Sequence, residues 1–205
     1  MRLLTLFRLP FALAVLAAIG AIVAGGTATA LLAAAIAGVI FVLGRDPVRD
    51  APSHPLGIVS PIDGRVARVE RGEDPLLERT ALQIDIRQGL ISPPILCSPT
   101  EGRIVQIWAG PDLPGRSEGK RLAIHLRTDE DDDVVFVVSR AFAWYGPLQW
   151  RIQPGERVGQ GQRRGLAGWG RAVTLLVPEE STAVVEAGDS VEAGATLVGQ
   201  LLHGN

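Results

Sequence analysis

The sequence of 205 residues contains very little cysteine or lysine, and neither sign of charge predominates. Its single cysteine, Cys97, excludes an intramolecular disulfide and a cysteine-rich zinc site. Its 20 Lys and Arg residues against 22 Asp and Glu residues argue against a nucleic-acid-binding protein. Because Lys120 is the only lysine, arginine carries nearly all of the positive charge. A hydrophobic content of 47% excludes an intrinsically disordered chain.

Charged residues are also missing from one long stretch, the 35 residues from Leu9 to Leu43. One upright helix of that length would measure about 52 Å, well above a bilayer core of about 30 Å. Gly25 and Gly26 lie near the middle, where glycine allows the chain to turn. We therefore expect a membrane anchor of residues 1–44 that contains two short transmembrane helices, Leu9–Ala24 and Thr27–Leu43. The alternatives are a single tilted span and a cleaved signal peptide.

Arginines flank this apolar stretch on both sides, with Arg2 and Arg8 before it and Arg45 and Arg49 after it. The positive-inside rule places both flanks in the cytoplasm. We therefore expect a membrane-anchored protein whose remaining part lies on the cytoplasmic side, at the inner membrane if the source is bacterial.

Residues 45–55 are charged and rich in proline, which predicts an extended linker before a domain of residues 56–205. Short runs in that domain alternate apolar and polar residues, as half-buried strands do. The predicted strands are Gly64–Glu70, Ala81–Arg87, Gly102–Trp108, Arg121–Arg127, Val134–Ser139, Ala172–Val177 and Ala183–Glu186. The domain is therefore expected to be mainly β.

Two phrases of this domain occur twice. Ser60–Val66 (SPIDGRV) and Ser98–Ile104 (SPTEGRI) each predict a tight turn followed by a strand. Gly155–Val158 and Gly188–Val191 share a glycine, an acidic residue and a valine. These turns resemble those of barrel-sandwich hybrids, the hammerhead fold of biotinyl and lipoyl carriers. Because Lys120 lacks the flanking residues of a modified carrier lysine, we expect the fold without the carrier chemistry.

The order of these phrases resembles the phosphatidylserine decarboxylases of the short bacterial and archaeal type. From about residue 40 to the C-terminus, segments resemble the family's motifs in order and at matching spacing: Gly44–Arg49, Ser60–Val66, Cys97–Ile104, Arg151–Leu166, Arg171–Pro178 and Val185–Leu197. The first three correspond to the family's F-R-D-P-x-R, S-P-A-D-G-R-V and R-A-P-V-S-G-x-V. The predicted pair of N-terminal spans is also similar to that family.

The resemblance implies a role in phospholipid metabolism, in which the serine carboxylate of phosphatidylserine is removed to give phosphatidylethanolamine. The family's cofactor is a pyruvoyl group, which forms when a serine in a Gly-Ser step attacks its own preceding carbonyl and the chain breaks. An aspartate and a histidine assist that serine. The pyruvoyl group then serves as the electron sink of the reaction. No metal ion is expected.

Of the family's catalytic positions, only one is kept in this chain. Asp63 matches the aspartate of the S-P-x-D-G motif, as a remnant of the family's base. Gly170 or Arg171 stands at the position of the processing serine, and neither has a hydroxyl group. Pro94 stands at the position of the family's histidine, and Cys97 stands where some members have a second histidine. We therefore expect no self-processing, no pyruvoyl group and no catalytic activity.

Several polar residues also have a purely structural interpretation. Asp63 is expected to be a turn residue, and Cys97 is expected to be a buried, inert thiol. His125 lies in an alternating strand, where a hydrogen-bonded or solvated structural role is expected. The acidic run Asp129–Asp133 is expected to form a solvated hairpin loop, with a hard-cation site as the alternative.

Aromatic and basic residues follow one another in a further segment that contains Trp144, Tyr145, Trp150 and Arg151. Tryptophan and tyrosine favour the membrane–water interface, and arginine attracts anionic headgroups. We expect these four residues to face lipid. The alternative is that the tryptophans belong to the core and that the arginines are dispersed on the surface.

Three hypotheses about function remain open. The first is a membrane-anchored, catalytically inactive relative of phosphatidylserine decarboxylase that contacts a phospholipid membrane and binds phosphatidylserine or a homologous chain. The second is an active decarboxylase that uses an unrecognised route. The third is a structural barrel-sandwich module at the membrane that is unrelated to lipids.

Overall fold

The computed structural model describes residues 2–3, 5–47, 49, 54, 56–89, 91–110, 113, 121–140 and 148–202. The chain forms two compact units, Met1–Val48 and Arg49–Asn205. The division between the units therefore lies inside the predicted linker.

The N-terminal unit is a helical hairpin. Helix α1 (Thr5–Val23) and helix α2 (Thr27–Leu43) are joined by a turn in which Gly25 has a positive φ of 76°. The rings of Phe11 and Phe41 contact each other across the hairpin, with centroids 5.9 Å apart. Strands β1 (Arg2–Leu3) and β2 (Arg45–Asp46) pair antiparallel at the outer ends of the two helices. The predicted pair of helices and the turn between them are confirmed.

Neither helix combines, over the residues described, the length and the apolar character that crossing a membrane requires. The prediction of a transmembrane hairpin is thus supported in its helices but not in its crossing of a membrane.

The C-terminal unit is built from antiparallel strands: β3 (Gly57–Val59), β4 (Gly64–Asp74), β5 (Arg79–Gln88), β6 (Ile95–Cys97), β7 (Gly102–Gly110), β8 (Arg121–Arg127), β9 (Asp133–Arg140), β10 (Gln149–Trp150), β11 (Arg157–Val158), β12 (Arg163–Leu166), β13 (Arg171–Pro178), β14 (Thr182–Ala183), β15 (Ser190–Val191) and β16 (Leu197–Gln200). Eight of them form one curled sheet in the order β11-β7-β8-β9-β13-β5-β4-β15. Two three-stranded sheets, β14-β16-β3 and β10-β12-β6, complete the unit. The predicted mainly β class is confirmed.

The long strands lie close to their predicted bounds, because alternating residues point to opposite faces of the sheet. One face carries the main core, which includes Ile84 and Ile86 of β5, Val173 and Leu175 of β13, and Phe136 of β9. The other face carries a smaller apolar cluster that is built from Ala81, Ala123, Val135, Val137 and Leu176. The central strands are therefore covered on both faces over part of their length.

The predicted strand Ala183–Glu186 is shorter in the structure, where β14 ends at Ala183. The backbone N–H of Glu186 donates a 2.8 Å hydrogen bond to the carboxylate of Asp189. This bond begins the turn that leads to β15, and it ends the extended backbone earlier than the apolar residues suggest.

The duplicated phrase of the sequence corresponds to a duplicated structure. The hydroxyl of Ser60 donates to the carbonyl of Ile62 at 2.7 Å, and the hydroxyl of Ser98 donates to the carbonyl of Thr100 at 2.8 Å. The strands that follow, β4 and β7, each pair with the next strand of the chain and each contain a bulge. The two halves therefore repeat the same arrangement of turn, strand and bulge.

The two turns also bind each other. The N–H of Val59 donates to the carbonyl of Pro99 at 2.8 Å, and the N–H of Cys97 donates to the carbonyl of Pro61 at 2.9 Å. Each half thus supplies one donor and one acceptor to the other half. This reciprocal exchange joins the two repeats into one unit.

Gly64 is predicted to be essential for this arrangement. A Cβ atom at Gly64 would collide with the backbone carbonyl of Arg87 on the paired strand, and this carbonyl lacks the freedom of a flexible side chain. We expect Gly64→Ala to lower the free energy of unfolding by at least about 2 kcal/mol, as overpacking does. Denaturant unfolding of the full-length protein, followed by circular dichroism, measures the change.

The matched control is Gly159→Ala, because nothing lies within 4 Å of a Cβ atom at that position. This substitution is expected to change the stability by less than about 1 kcal/mol. Equal effects of the two substitutions would show that the close approach at Gly64 is unimportant.

Candidate active site

The carboxylate of Asp63 accepts three hydrogen bonds in the candidate site. The guanidinium group of Arg49 donates to both of its oxygens, from Nη1 to Oδ1 at 2.5 Å and from Nη2 to Oδ2 at 2.9 Å. The backbone N–H of Ala193 donates a third bond to Oδ1 at 2.6 Å. Asp63 is only 8% exposed, so these bonds replace almost all of its contact with water. The aspartate therefore joins the segment before β3 to the turn after β15.

Arg49 is held by the charges around it. Burial alone would lower the pKa of Arg49, but the hydrogen bond and the negative charge of Asp63 outweigh burial and raise this pKa above its ordinary value. Glu192 and Cys97 add smaller contributions in the same direction. The Nε atom of Arg49 lies 3.2 Å from the carboxylate of Glu192, which is mostly exposed. Arg49 thus remains a cation and a fixed partner of Asp63.

Cys97 lies close to the same turn. Its thiol is buried in a small cluster with Ile95 and Ala193. A Cβ atom built on Gly194 would lie 3.3 Å from the sulfur atom. Because Ala193 and Gly194 are consecutive, the thiol and the carboxylate of Asp63 contact neighbouring peptide units. The structure therefore brings together two positions that are far apart in the sequence.

The segment that precedes β13 is held against β5 and β6. The side-chain amide of Gln88 donates to the carbonyl of Gly168 at 2.8 Å and accepts from the N–H of Arg171 at 3.2 Å. The N–H of Ala167 donates to the carbonyl of Pro94 at 3.0 Å. Gln88 itself pairs with Gly64, the residue after Asp63, in the β4–β5 ladder. These contacts place Asp63, Pro94, Cys97 and the start of β13 at one end of the sheet.

Arg171 is one of the two residues that the resemblance places at the position of the processing serine. Its side chain is only 8% exposed, and its Nε atom donates to the carbonyl of Ala167 at 2.7 Å. Gly170, the alternative position, has a positive φ of 67° that favours glycine. Whichever of these two residues corresponds to the serine, the position holds a glycine or a buried guanidinium group and no hydroxyl group.

Ser139 and His125 carry a hydroxyl and an imidazole group that bind away from residues 170–171. Ser139 on β9 donates to the carbonyl of Ala172 at 3.4 Å from inside a paired strand. His125 lies in the β8–β9 hairpin, where its Nε2 atom is 2.7 Å from Asp133 and its ring stacks on Trp108. Because neither Gly170 nor Arg171 has a hydroxyl group, the residues at this position do not fit a pyruvoyl group that is formed by the family's route.

Asp133 explains the structural role of His125. Burial would raise the pKa of Asp133, but its hydrogen bonds with Arg127 and His125 outweigh burial and lower this pKa below its ordinary value. Asp133 is therefore a stable anion at neutral pH, and His125 has the hydrogen-bonded role that the sequence predicts. The acidic run forms the loop between β8 and β9, where Asp129 pairs with Arg157.

The predicted lipid-facing residues are only partly described. Trp144 and Tyr145 lie outside the described residues. Trp150 packs against the main core, with its ring edge-on to Phe136 at a centroid distance of 5.5 Å. This packing corresponds to the alternative interpretation, a core tryptophan, rather than to a lipid contact. Arg151, the next residue, is exposed.

Sequence reasoning missed two residues that organise the site, Arg49 and Gln88. Arg49 belonged to a recognised motif, but a separation of 14 residues from Asp63 carries no local signal that the two side chains pair. Gln88 follows an alternating strand as an ordinary polar residue. Its three bonds become visible only when β5 is placed beside β13.

Curated relatives of this chain share about 30% identity over most of its length. A phosphatidylserine decarboxylase proenzyme of Nitrosomonas europaea is 32% identical to this chain. The alignment covers 87% of this chain and 91% of the relative. The phosphatidylserine decarboxylase proenzymes of Aromatoleum aromaticum and Cupriavidus metallidurans are 31% and 30% identical to this chain. Each alignment covers 77% of this chain and 76% of the relative. No family model and no solved structure matches the chain. On these identities and this coverage, the chain belongs to the phosphatidylserine decarboxylase proenzyme family.

Proposed function

We propose that this protein is a phosphatidylserine-decarboxylase-like component of phospholipid metabolism that does not cleave itself and carries no pyruvoyl group. The observation that carries the proposal is that the position of the processing serine is occupied by Gly170 or by the buried Arg171. Self-cleavage by the family's route needs a hydroxyl oxygen next to the carbonyl that it attacks. Neither Gly170 nor Arg171 supplies such an oxygen.

The environment of Asp63 supports the same proposal. A general base must lie within hydrogen-bond reach of the nucleophile whose proton it accepts. In this chain, both oxygens of Asp63 accept bonds from Arg49, and one of them accepts from Ala193 as well. Asp63 therefore acts as a structural anion that holds two segments together. Without the serine and the histidine it has no proton to move.

We also propose that the N-terminal unit attaches the protein to a membrane, with the C-terminal unit on the cytoplasmic side. The helices expose large apolar side chains, among them Leu9, Leu13, Leu16, Ile22, Val23, Leu31 and Leu32. Exposed apolar surface of this extent is typical of a membrane or protein contact. A phospholipid membrane is thus the proposed partner, and phosphatidylserine or a homologous chain is the proposed ligand.

The finer fold is proposed as well. The duplicated turns, the reciprocal hydrogen bonds and the curled sheet are what a barrel-sandwich hybrid would require. In this proposal the family fold is retained as a scaffold, while the lysine chemistry of biotinyl and lipoyl carriers is absent.

The first prediction of this proposal concerns the intact mass of the purified protein. We expect one species of the full chain, about 21.7 kDa, and no pair of fragments cut near residue 170. We also expect Arg171→Ser to remain uncut, because Pro94 supplies no imidazole group to assist the new serine. Mass spectrometry of both proteins, with an assay for phosphatidylethanolamine, measures this.

A C-terminal fragment of the wild-type protein that begins with a ketoacyl group would overturn the proposal and favour an active enzyme with an unrecognised route. Cleavage of Arg171→Ser alone would show that Asp63, or another group, still assists a nucleophile at this position.

The second prediction concerns the structural role of Asp63. Asp63→Ala leaves the N–H of Ala193 unpaired and deprives Arg49 of its main partner, so we expect a loss of about 3 kcal/mol in the free energy of unfolding. In a double-mutant cycle with Arg49→Met, the coupling energy between the two residues is expected to exceed about 1 kcal/mol.

The matched control is the pair Arg157–Asp129, whose side chains are 58% and 56% exposed. Its coupling energy is expected to stay below about 0.5 kcal/mol, as for exposed ion pairs. If the two cycles gave equal couplings, the ion pair of Asp63 would have no special structural role.

The third prediction concerns membrane attachment. The double variant Leu13→Glu, Leu31→Glu places two charges on exposed positions of α1 and α2 and leaves the Phe11–Phe41 contact in place. We expect it to move the protein from the membrane fraction to the soluble fraction, because charged residues are costly in lipid. Val184→Glu, at an exposed apolar position of the C-terminal unit, is expected to leave the distribution unchanged. A wild-type protein found mainly in the soluble fraction would refute the attachment.

A further inference from the structure

A groove lies on the face of the eight-stranded sheet that is opposite to the main core. Its volume is about 690 Å³, and strands β4, β5, β13, β9 and β8 supply most of its lining. We call it the arginine groove, after Arg87 of β5 and Arg121 of β8, which line it together with Arg68. None of these arginines belongs to the candidate active site.

The strand register places Arg87 and Arg121 in one row across the sheet. Arg87 pairs with Ala172, and Ala172 pairs with Ser139. Leu122 pairs with Val138, so Arg121, the preceding residue, lies beside Ser139. At about 4.8 Å between neighbouring strands, the two arginine backbones are about 14 Å apart. The small side chains of Ala172 and Ser139 leave the space between the two guanidinium groups open.

Arg121 has an unused donor inside the groove. Arg121 is only 9% exposed, and its Nη1 atom donates to the carbonyl of Leu113. Its buried Nε atom has no hydrogen-bond partner among the residues that the structure describes. A buried guanidinium donor without an acceptor is unfavourable, since it has lost its bonds to water. A ligand that supplies an acceptor would relieve that loss.

Arg87 provides the second donor group. Its side chain is exposed, and within the described part of the chain it forms no ion pair with a carboxylate. The nearest acidic residue on the same strand face, Asp85, is already occupied. It accepts from Arg68 at 2.7 Å and from Thr174 at 2.5 Å. Arg68 also pairs with Glu70 at 2.9 Å. The positive charge of Arg87 is therefore available to a ligand.

The floor of the groove beyond this row is apolar in part, beside the polar side chains of Gln83, Asp85 and Thr174. Val137 and Leu176, which line it, belong to the smaller apolar cluster, and Leu76 packs against that cluster. A ligand that is anionic at one end and apolar at the other would therefore contact matching surfaces. A small free anion would use the arginine row alone.

We propose that the arginine groove binds a phosphate group between Arg87 and Arg121. The planar guanidinium group is suited to phosphate, because its parallel N–H bonds match two phosphate oxygens. The phosphate belongs either to a phospholipid headgroup or to a small soluble phosphate. The site lies on strand residues outside the candidate active site, so it does not depend on the proposed loss of self-processing.

The test is calorimetric titration of the full-length protein, in an uncharged detergent, with inorganic phosphate. We expect saturable binding at an ionic strength of about 0.15 M. Arg87→Ala is expected to weaken it at least about tenfold, since a charge-assisted bond is lost. Arg87→Lys keeps the positive charge but loses the parallel N–H donors of the guanidinium group. It is expected to weaken binding less than Arg87→Ala does. Because Arg87 is exposed, its variants are expected to fold normally. Arg121→Met provides a second test of phosphate binding, and its stability is measured in parallel.

The matched control is Arg103→Ala, which removes an exposed arginine from β7 of the same sheet but outside the groove. It is expected to change the affinity by less than about twofold, because a charge outside the groove is screened by salt. Absence of saturable binding by the wild-type protein, or an equal loss in Arg103→Ala, would overturn the proposal.

A second titration, with dihexanoyl phosphatidate as a soluble monomer, distinguishes the two sources of phosphate. If the natural ligand is a lipid headgroup, this compound binds more tightly than inorganic phosphate, and Arg87→Ala weakens it equally. If the ligand is a small phosphate, the acyl chains add no affinity. Binding of either compound that is indifferent to Arg87→Ala would contradict the site.

Discussion

Two backbone hydrogen bonds hold the repeated halves of the C-terminal unit against each other: Val59 to Pro99, and Cys97 to Pro61. Each bond runs from the strand before one S-P turn to the proline of the other turn. A displacement of either turn would therefore disturb the hydrogen bonds of both halves. Asp63 follows one of these turns and Cys97 precedes the other, so the geometry of the candidate site depends on this exchange.

In the proposed function, the candidate site keeps the arrangement of the family's positions without the family's chemistry. Asp63, Pro94, Cys97 and the start of β13 come together at one end of the sheet through the bonds of Gln88 and Ala193. These are the positions that the resemblance assigns to catalysis. The groups that occupy them are a paired carboxylate, a proline, a buried thiol and a buried guanidinium. Such groups pack and bind, but they do not provide an oxygen nucleophile with its base.

The two faces of the eight-stranded sheet have different physical characters. One face is apolar along the central strands and supplies the main core. The opposite face is apolar only in part and changes to arginine, aspartate, serine and threonine toward the candidate site. A sheet that is fully covered on both faces would have no polar residues there. The polar row thus marks the part of that face that the described residues leave open, and it is the place of the proposed ligand.

Local features of the sequence predicted the elements of both units. The charge-free stretch with two central glycines predicted two helices and the turn between them. A long apolar run that is not divided by turn residues into short strands favours helix, and glycine permits the chain to reverse. Alternating residues predicted the long strands, since the side chains of a strand point to opposite faces. The short strands β1, β2, β3, β6, β10, β11, β12, β15 and β16 were missed, because two to four residues hold too little pattern to be recognised.

The sequence by itself determined the mainly β class, the helical hairpin, the family, and the lack of a hydroxyl group at residues 170–171, since each of these depends on local composition or on motif order. Only the tertiary structure decided that Arg49 pairs with Asp63, that Gln88 joins β5 to the start of β13, and that Arg87 and Arg121 share one row. These contacts join residues that are far apart in the chain. Their partners are chosen by strand register and burial, which no local pattern encodes.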